Sequence, residues 1–207
     1  MQGLYLVTPD WDDTAALLAY TDAALDAGAR LLQYRHKTAG DAQRREQAEA
    51  LLALCRRHGV PFIVNDHVQL ACDIGADGVH VGGTDASVAE ARAQVGPGRI
   101  VGASCYGQLE LAIDAARAGA SYVAFGGFYP SRVKRYEVTT QPAILAEARA
   151  QVALPRIVIG GMTPANAAPL VAQGADMVAA ISSVYGAADP AGAAAAAREF
   201  VRLFGHG

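Results

Sequence analysis

Short apolar runs alternate along the chain with longer stretches of helical period, and the alternation continues from one end to the other. The runs at residues 4–8, 31–35, 62–65, 78–81, 100–104, 122–125, 156–159 and 177–180 are brief and mostly apolar, the pattern of strands buried on both faces of a parallel sheet. Between two of them, residues 41–58 place Ala48, Leu51, Leu52 and Cys55 on one face of a helix and most charges on the other. Glycine closes many helical stretches, as at Gly28, Gly59, Gly75, Gly119 and Gly174, where a left-handed residue is commonly needed. The alanine run at 193–197 reads as strong helix former. About eight such β-then-α units with no Pro/Gly/Ser linker predict one (β/α)₈ TIM barrel over residues 1–207, with a doubly wound open sheet as the alternative.

Composition narrows the function classes more than the fold. A net charge of −3, with both signs scattered along the chain, gives no electrostatic reason to expect nucleic acid or a membrane surface as partner. No apolar run approaches the ~18 residues of a membrane span, and a strand pattern rather than a secretory leader follows Met1. Cys55, Cys72 and Cys105 have no C-x-x-C spacing and read as reduced, mostly buried thiols. The expectation is a cytoplasmic protein, with a homo-oligomer left open.

In a barrel, functional groups gather at the C-terminal strand ends. The second strand ends in Gln33, Arg35 and Lys37, alternate positions that share one side if the strand stays extended. A planar fork and a point charge together suit phosphate oxygens, although a solvated strand end has the same composition. The third and fourth strands lead to Asn65-Asp66 and to Asp85; paired carboxylates suit Mg²⁺, whereas either aspartate taken singly reads better as a helix cap. Ser104 ends the fifth strand without a Ser-His-Asp or Cys-His arrangement nearby, and Cys105 reads as packing. The sixth opens into a glycine-containing loop that carries Ser131 and ends in Lys134. Gly160-Gly161 and Ile181-Ser182 follow the last two strands, either as tight turns or as the anion site that recurs there. The histidines show no ligand spacing, and His80 reads as a satisfied core residue.

Taken in order, these pieces resemble the thiamine phosphate synthase family. The resemblance rests on Val7-Thr8, the Q-x-R-x-K of Gln33 to Lys37, Asn65-Asp66, and the D-G-V-H-x-G beginning at Asp77 and leading to Asp85. It continues through Gly102-x-Ser104, the G-x-x-x-P-[ST]-x-x-K of Gly126 to Lys134, Ile159-Gly160-Gly161 and Ile181-Ser182. It implies that Arg35, Lys37, Asn65 and Lys134 hold the diphosphate of a pyrimidine substrate, while Gln33 and Ser104 contact its pyrimidine side. It further implies that Asp66 and Asp85 hold Mg²⁺ and that Ser131, Gly160, Gly161, Ile181 and Ser182 receive a thiazole phosphate. The implied reaction is a dissociative substitution, consistent with the lack of an obvious protein nucleophile; Arg35, Lys37 and Lys134 would supply the fixed positive charge. A related thiazole tautomerase differs by a histidine where this chain has Tyr106, and a non-catalytic phosphate-binding barrel would need only the glycine turns.

Val133 stands where the family often has threonine. Val133→Thr is expected to tighten thiazole phosphate binding by about 0.5–1.5 kcal/mol, the net contribution of one hydrogen bond, as read by calorimetric titration; unchanged affinity would dismiss the idea.

Overall fold

A computed structural model describes residues 1–82, 87–131 and 139–205. Its strands are β1 (Gly3–Val7), β2 (Leu31–Tyr34), β3 (Phe62–Asn65), β4 (Gly78–Val81), β5 (Ile100–Tyr106), β6 (Tyr122–Phe125), β7 (Arg156–Val158) and β8 (Met177–Ala180). They pair in parallel in sequence order, and β8 closes on β1, so the sheet is a barrel and not the open alternative. The intervening helices are α1 (Thr14–Asp26), α2 (Asp41–His58), α3 (Val68–Ile74), α4 (Val88–Val95), α5 (Leu109–Arg117), α6 (Ile144–Gln151) and α7 (Pro164–Ala172). The short α8 (Ser182–Tyr185) and the longer α9 (Pro190–Val201) follow β8.

The alternation of side chains along each strand separates two cores. Leu4, Leu6, Leu32, Tyr34, Phe62, Val64, Val79, Val101, Val123, Phe125 and Val178 face outward and pack with the helices. Tyr5, Val7, Leu31, Ile63, Tyr122, Ala124, Ile157, Met177 and Ala179 form a smaller cluster inside the barrel. Gln33 follows Leu31 by two residues on the same face, as Asn65 follows Ile63 and Ser104 follows Gly102. The polar residues are therefore the topmost inward layer of their strands, where the barrel opens.

Four strand ends depart from the apolar runs: β1 stops at Val7 and β7 at Val158, one residue early in each case, and the other two matter more for the site. β5 continues to Tyr106, past the expected end at Ser104, because a register shift between Ser104 and Tyr106 lets the pairing with β6 resume at Phe125. Such a bulge is not encoded in an apolar run. β2 stops at Tyr34, so Arg35 and Lys37 lie beyond the regular ladder. Gly102 shows how tightly the interior is filled: a Cβ there would overlap the Tyr122 phenol.

Cys55 and Cys105 are fully buried, which pushes each thiol up to about 12, whereas Cys72 is partly exposed. The thiolate is the reactive form, so the raised values leave the buried pair protonated at pH 8. Dithionitrobenzoate at that pH is expected to label Cys72 in the native protein and to reach the other two only after urea unfolding. Rapid labelling of all three cysteines without denaturant would contradict this packing.

Candidate active site

The site begins with a clamp that fixes the segment leaving β2. The buried Thr8 hydroxyl accepts the Arg35 backbone N–H at 2.8 Å and donates to the Arg35 carbonyl at 2.9 Å. Thr8 thus satisfies both backbone groups of a residue that has left the ladder. Asp10, on the same β1–α1 segment, takes the Arg35 guanidinium Nη1 at 3.1 and 3.3 Å and the Lys37 backbone N–H at 2.9 Å. Arg35 is mostly covered, at 16 % side-chain exposure, so a paired carboxylate is what keeps its charge tolerable there.

One pocket at the C-terminal mouth is lined by Gln33, Arg35, Asn65, Ser104, Ser131, Gly160, Gly161, Ile181 and Ser182, together with Tyr5, His80, Ser183 and an apolar floor and wall that includes Ile157, Ile159 and Ala179. Lys37 takes a different direction. It borders an adjoining cleft with Asn65 and Asp66, and its ammonium pairs with the Asp66 carboxylate. The expectation that Gln33, Arg35 and Lys37 share one face therefore holds for the first two only, because the chain is no longer a strand at Lys37. Lys134 and Asp85 fall outside the described residues, as does Val133.

Asp66 sits in the left-handed region at φ 62°, a conformation that Asp tolerates better than most non-glycine residues. Its N–H is tied to the His80 carbonyl at 2.9 Å, and its carboxylate accepts from Asn65 Nδ2 at 2.6 Å as well as from Lys37. The cap of α3 is His67, without a side-chain bond, so Asp66 does not serve as the helix cap its sequence context also allowed. Among the described residues no three His, Cys, Asp or Glu side chains cluster as a metal cage. Mg²⁺ needs less: it commonly takes one or two carboxylates and fills its shell with water and phosphate oxygens, so the oxygen donors of Asp66, with Asn65 beside it, fit a hard cation.

The opposite wall is built by close backbone approach. The loop after β6 runs along the end of β7, with Tyr129 N–H donating to the Gly160 carbonyl at 3.2 Å. Gly161, at φ 61°, is obligatory there because a side chain would collide with the Pro130 carbonyl, which delivers Ser131 beside the glycine turn. The start of α7 is already capped by its own Thr163 and Asn166, whereas α8 begins at Ser182 with no side-chain cap. Ser183 Oγ is buried without a hydrogen-bond partner among the described residues. The open donors of this wall thus lie at α8 rather than α7.

Sequence reasoning missed Asp10 and Ser183 and treated His80 as packing. His80 is indeed buried, but it borders the pocket and uses both ring nitrogens, bonding Tyr122 Oη and Ser104 Oγ at 2.9 Å each. Asp10 had a signal in retrospect: it is an acid two residues after the strand-end threonine, beside a strand that ends in cations.

A closed parallel barrel whose mouth combines ion-paired cations, a hard oxygen donor and close-packed glycine turns has the form of an enzyme barrel. Residues 4–184 match the family model described as thiamine monophosphate synthase, and the chain belongs to that family. It is 66 % identical over 204 residues to a thiamine-phosphate synthase of Janthinobacterium sp. (strain Marseille), covering 99 % of this chain and 97 % of that one. A thiamine-phosphate synthase of Thiobacillus denitrificans is 52 % identical, over 98 % of this chain and 94 % of its own. Among solved structures, a thiamine phosphate pyrophosphorylase from Pyrococcus furiosus superposes with a TM-score of 0.85 at 30 % identity, covering 98 % of this chain and 95 % of that one.

Thr8→Val keeps the shape of the clamp and removes its hydroxyl, leaving both Arg35 backbone groups without their partner. Urea unfolding is expected to show a loss of about 1–3 kcal/mol, the penalty of an unsatisfied buried group. Wild-type stability in this variant would mean the clamp is dispensable.

Proposed function

We propose that this chain joins 4-amino-2-methyl-5-(diphosphooxymethyl)pyrimidine to 4-methyl-5-(2-phosphooxyethyl)thiazole, forming thiamine phosphate and releasing pyrophosphate. The observation that carries the reading is the two-sided pocket. The Gln33–Arg35–Asn65 wall and the Gly160–Gly161–Ser182 wall face one cavity, as a reaction between two phosphorylated partners requires.

In this reading Arg35, Lys37, Asn65 and Lys134 bind the diphosphate, and Gln33 and Ser104 orient the pyrimidine. Ser131, Gly160, Gly161, Ile181 and Ser182 receive the thiazole phosphate. The carbon–oxygen bond to the diphosphate breaks, a pyrimidine-methyl cation is left, and the thiazole nitrogen forms the new carbon–nitrogen bond. The pyrimidine's own amino group spreads the positive charge, so no protein nucleophile is needed. The protein's contribution is to place fixed cations where the leaving group gains charge and to hold the acceptor nitrogen in line. Asp66 and Asp85 would hold Mg²⁺, which when bound neutralises charge on the departing pyrophosphate. The tautomerase alternative has no use for Arg35, Lys37 and Asp66 together, because it handles no diphosphate. The reading places the reaction in the cytoplasm, a compartment in which Cys55, Cys72 and Cys105 remain reduced.

The test is incubation of the purified protein with both substrates and Mg²⁺, with chromatography for thiamine phosphate and pyrophosphate. Lys37→Ala, Lys134→Ala and Asp66→Ala are each expected to lower kcat/KM by roughly 10²–10³-fold, the usual effect of removing one group that stabilises transition-state charge. Absence of product from the wild-type chain would overturn the reading, and wild-type rates in a variant would overturn that residue's role.

A further inference from the structure

Beneath the pocket a single file of hydrogen bonds crosses the barrel interior. Gln33 Nε2 donates to Tyr5 Oη at 2.7 Å, Tyr5 Oη meets Tyr122 Oη at 2.7 Å, Tyr122 Oη meets His80 Nδ1 at 2.9 Å, and His80 Nε2 meets Ser104 Oγ at 2.9 Å. The file joins residues as distant in sequence as Tyr5 and Tyr122, and its two ends, on β2 and β5, both line the pocket. Both phenols are buried, which pushes their ionisation upward and keeps their protons in place.

Each link needs one proton, and the supply can be counted. With Gln33 donating, the Tyr5 proton must go to Tyr122 and the Tyr122 proton to His80 Nδ1. His80 then carries its proton on Nε2 and donates to Ser104, whose own proton is left to point into the pocket. Gln33 meanwhile presents its carbonyl oxygen there. Flipping the Gln33 amide reverses every link: Gln33 presents its amide N–H, His80 carries its proton on Nδ1, and Ser104 presents a lone pair. Amide orientation and imidazole tautomer are set by such networks, so both polarities are self-consistent. With a neutral His80, the Gln33 oxygen is turned to the pocket only when Ser104 keeps its proton for the pocket, and Ser104 offers only lone pairs there when the amide is flipped; the second amide N–H takes no part in the file.

We infer that the Tyr5–Tyr122–His80 file couples the orientation of the Gln33 amide to the Ser104 proton, so that an accepting Gln33 oxygen is matched by a donating Ser104 hydroxyl, and that this makes Tyr122 and His80 positioning residues for recognition of an aminopyrimidine ring. The inference rests on the proposed function, in which Gln33 and Ser104 take the pyrimidine. A 4-aminopyrimidine carries an N–H donor at C4 and an acceptor nitrogen, N1, directly across the ring, so its two sides match a file with one accepting and one donating end. A ring with acceptors on both sides leaves one end facing lone pair to lone pair. Sites built to hydrogen-bond a particular group reject analogues that strand a buried polar atom.

The test uses the full-length chain with 4-amino-5-hydroxymethyl-2-methylpyrimidine and its 4-methoxy counterpart, in the presence of Mg²⁺ and inorganic pyrophosphate. Both probes are unreactive because they carry no leaving diphosphate, and the methoxy oxygen has no proton to give. Calorimetry is expected to show tighter binding of the amino compound. Tyr122→Phe, which cuts the file at a residue that does not border the pocket, should shrink the amino-to-methoxy preference by about tenfold, the value of one well-placed hydrogen bond. A purely structural role would weaken both probes together and leave their ratio unchanged, which would overturn the inference. Nitrogen-15 spectra of the wild-type protein with the amino probe provide a second measurement that does not depend on the variant folding, with His80 identified by comparison with His80→Asn. They should show one neutral tautomer of His80; an imidazolium or an even mixture of tautomers overturns the inference. Product formation in the two-substrate assay without any preference between the probes sinks the file alone. A single tautomer and a retained preference in a protein that makes no product sink the reaction and leave the file standing.

Discussion

Parallel closure of strands only three to seven residues long is the constraint on which the rest of this molecule depends. Because every strand runs the same way, every strand end opens on the same rim, and each needs only one or two polar residues to contribute. The register sets which of those residues are level: Val7 stands opposite Gln33, Asn65 opposite His80, and Ser104 opposite Ala124. Alternation then decides which point inward. Leu32 and Tyr34 pack with the helices while Gln33 faces the interior, so a one-residue slip in β2 would bury the amide among apolar side chains and turn leucine toward the pocket.

A barrel interior is normally filled by branched apolar side chains. Here the upper interior is partly polar, and the arrangement is tolerable because each member of the Gln33 to Ser104 file has a partner within hydrogen-bond distance. An incomplete file would cost more than an apolar core, since each stranded atom carries its full desolvation penalty. Gly102 belongs to the same arrangement: by lacking a side chain it leaves room for the Tyr122 phenol to lie against β5 and reach both Tyr5 and His80. The lower layer, with Leu31, Ile63, Ile157 and Met177, remains apolar and anchors the strands from below.

The features legible in the sequence were those encoded locally. Four of the strands, β3, β4, β6 and β8, have the bounds their apolar runs predicted, and α2 spans the predicted residues, because each needs only its own periodicity. Nine of the expected site residues line one pocket for a related reason: a polar residue that interrupts an apolar run at its C-terminal end has few other places to go in a parallel barrel. What was not legible depends on pairings between distant segments. Nothing near Tyr5 announces Tyr122, the clamp of Arg35 by Thr8 and Asp10 joins two strands, and the left-handed turn at Asp66 depends on the strand beside it. Lys37 followed the same rule in the opposite direction, since extrapolating strand geometry beyond Tyr34 assigned it a neighbour it does not have.

The cations of the mouth illustrate how such a site is kept ready. Arg35 is held by Asp10, and Lys37 by Asp66, so neither positive charge stands alone in a partly desolvated cleft. These pairs fix where the charges stand, and they also compete with any anion that arrives. In the proposed reaction a diphosphate would therefore gain less from each cation than an unpaired charge would offer, but it would meet donors already in position and spend little on reorganising them. The two carboxylates differ in consequence. Asp10 also binds the Lys37 backbone and belongs to the scaffold, whereas Asp66 meets Lys37 through its ammonium and is itself placed by the Asn65 amide and the His80 carbonyl. In the proposed reaction a cation at Asp66 would free Lys37 for the phosphate oxygens, so that the metal and the lysine, rivals for one carboxylate in this structure, would act together on the anion.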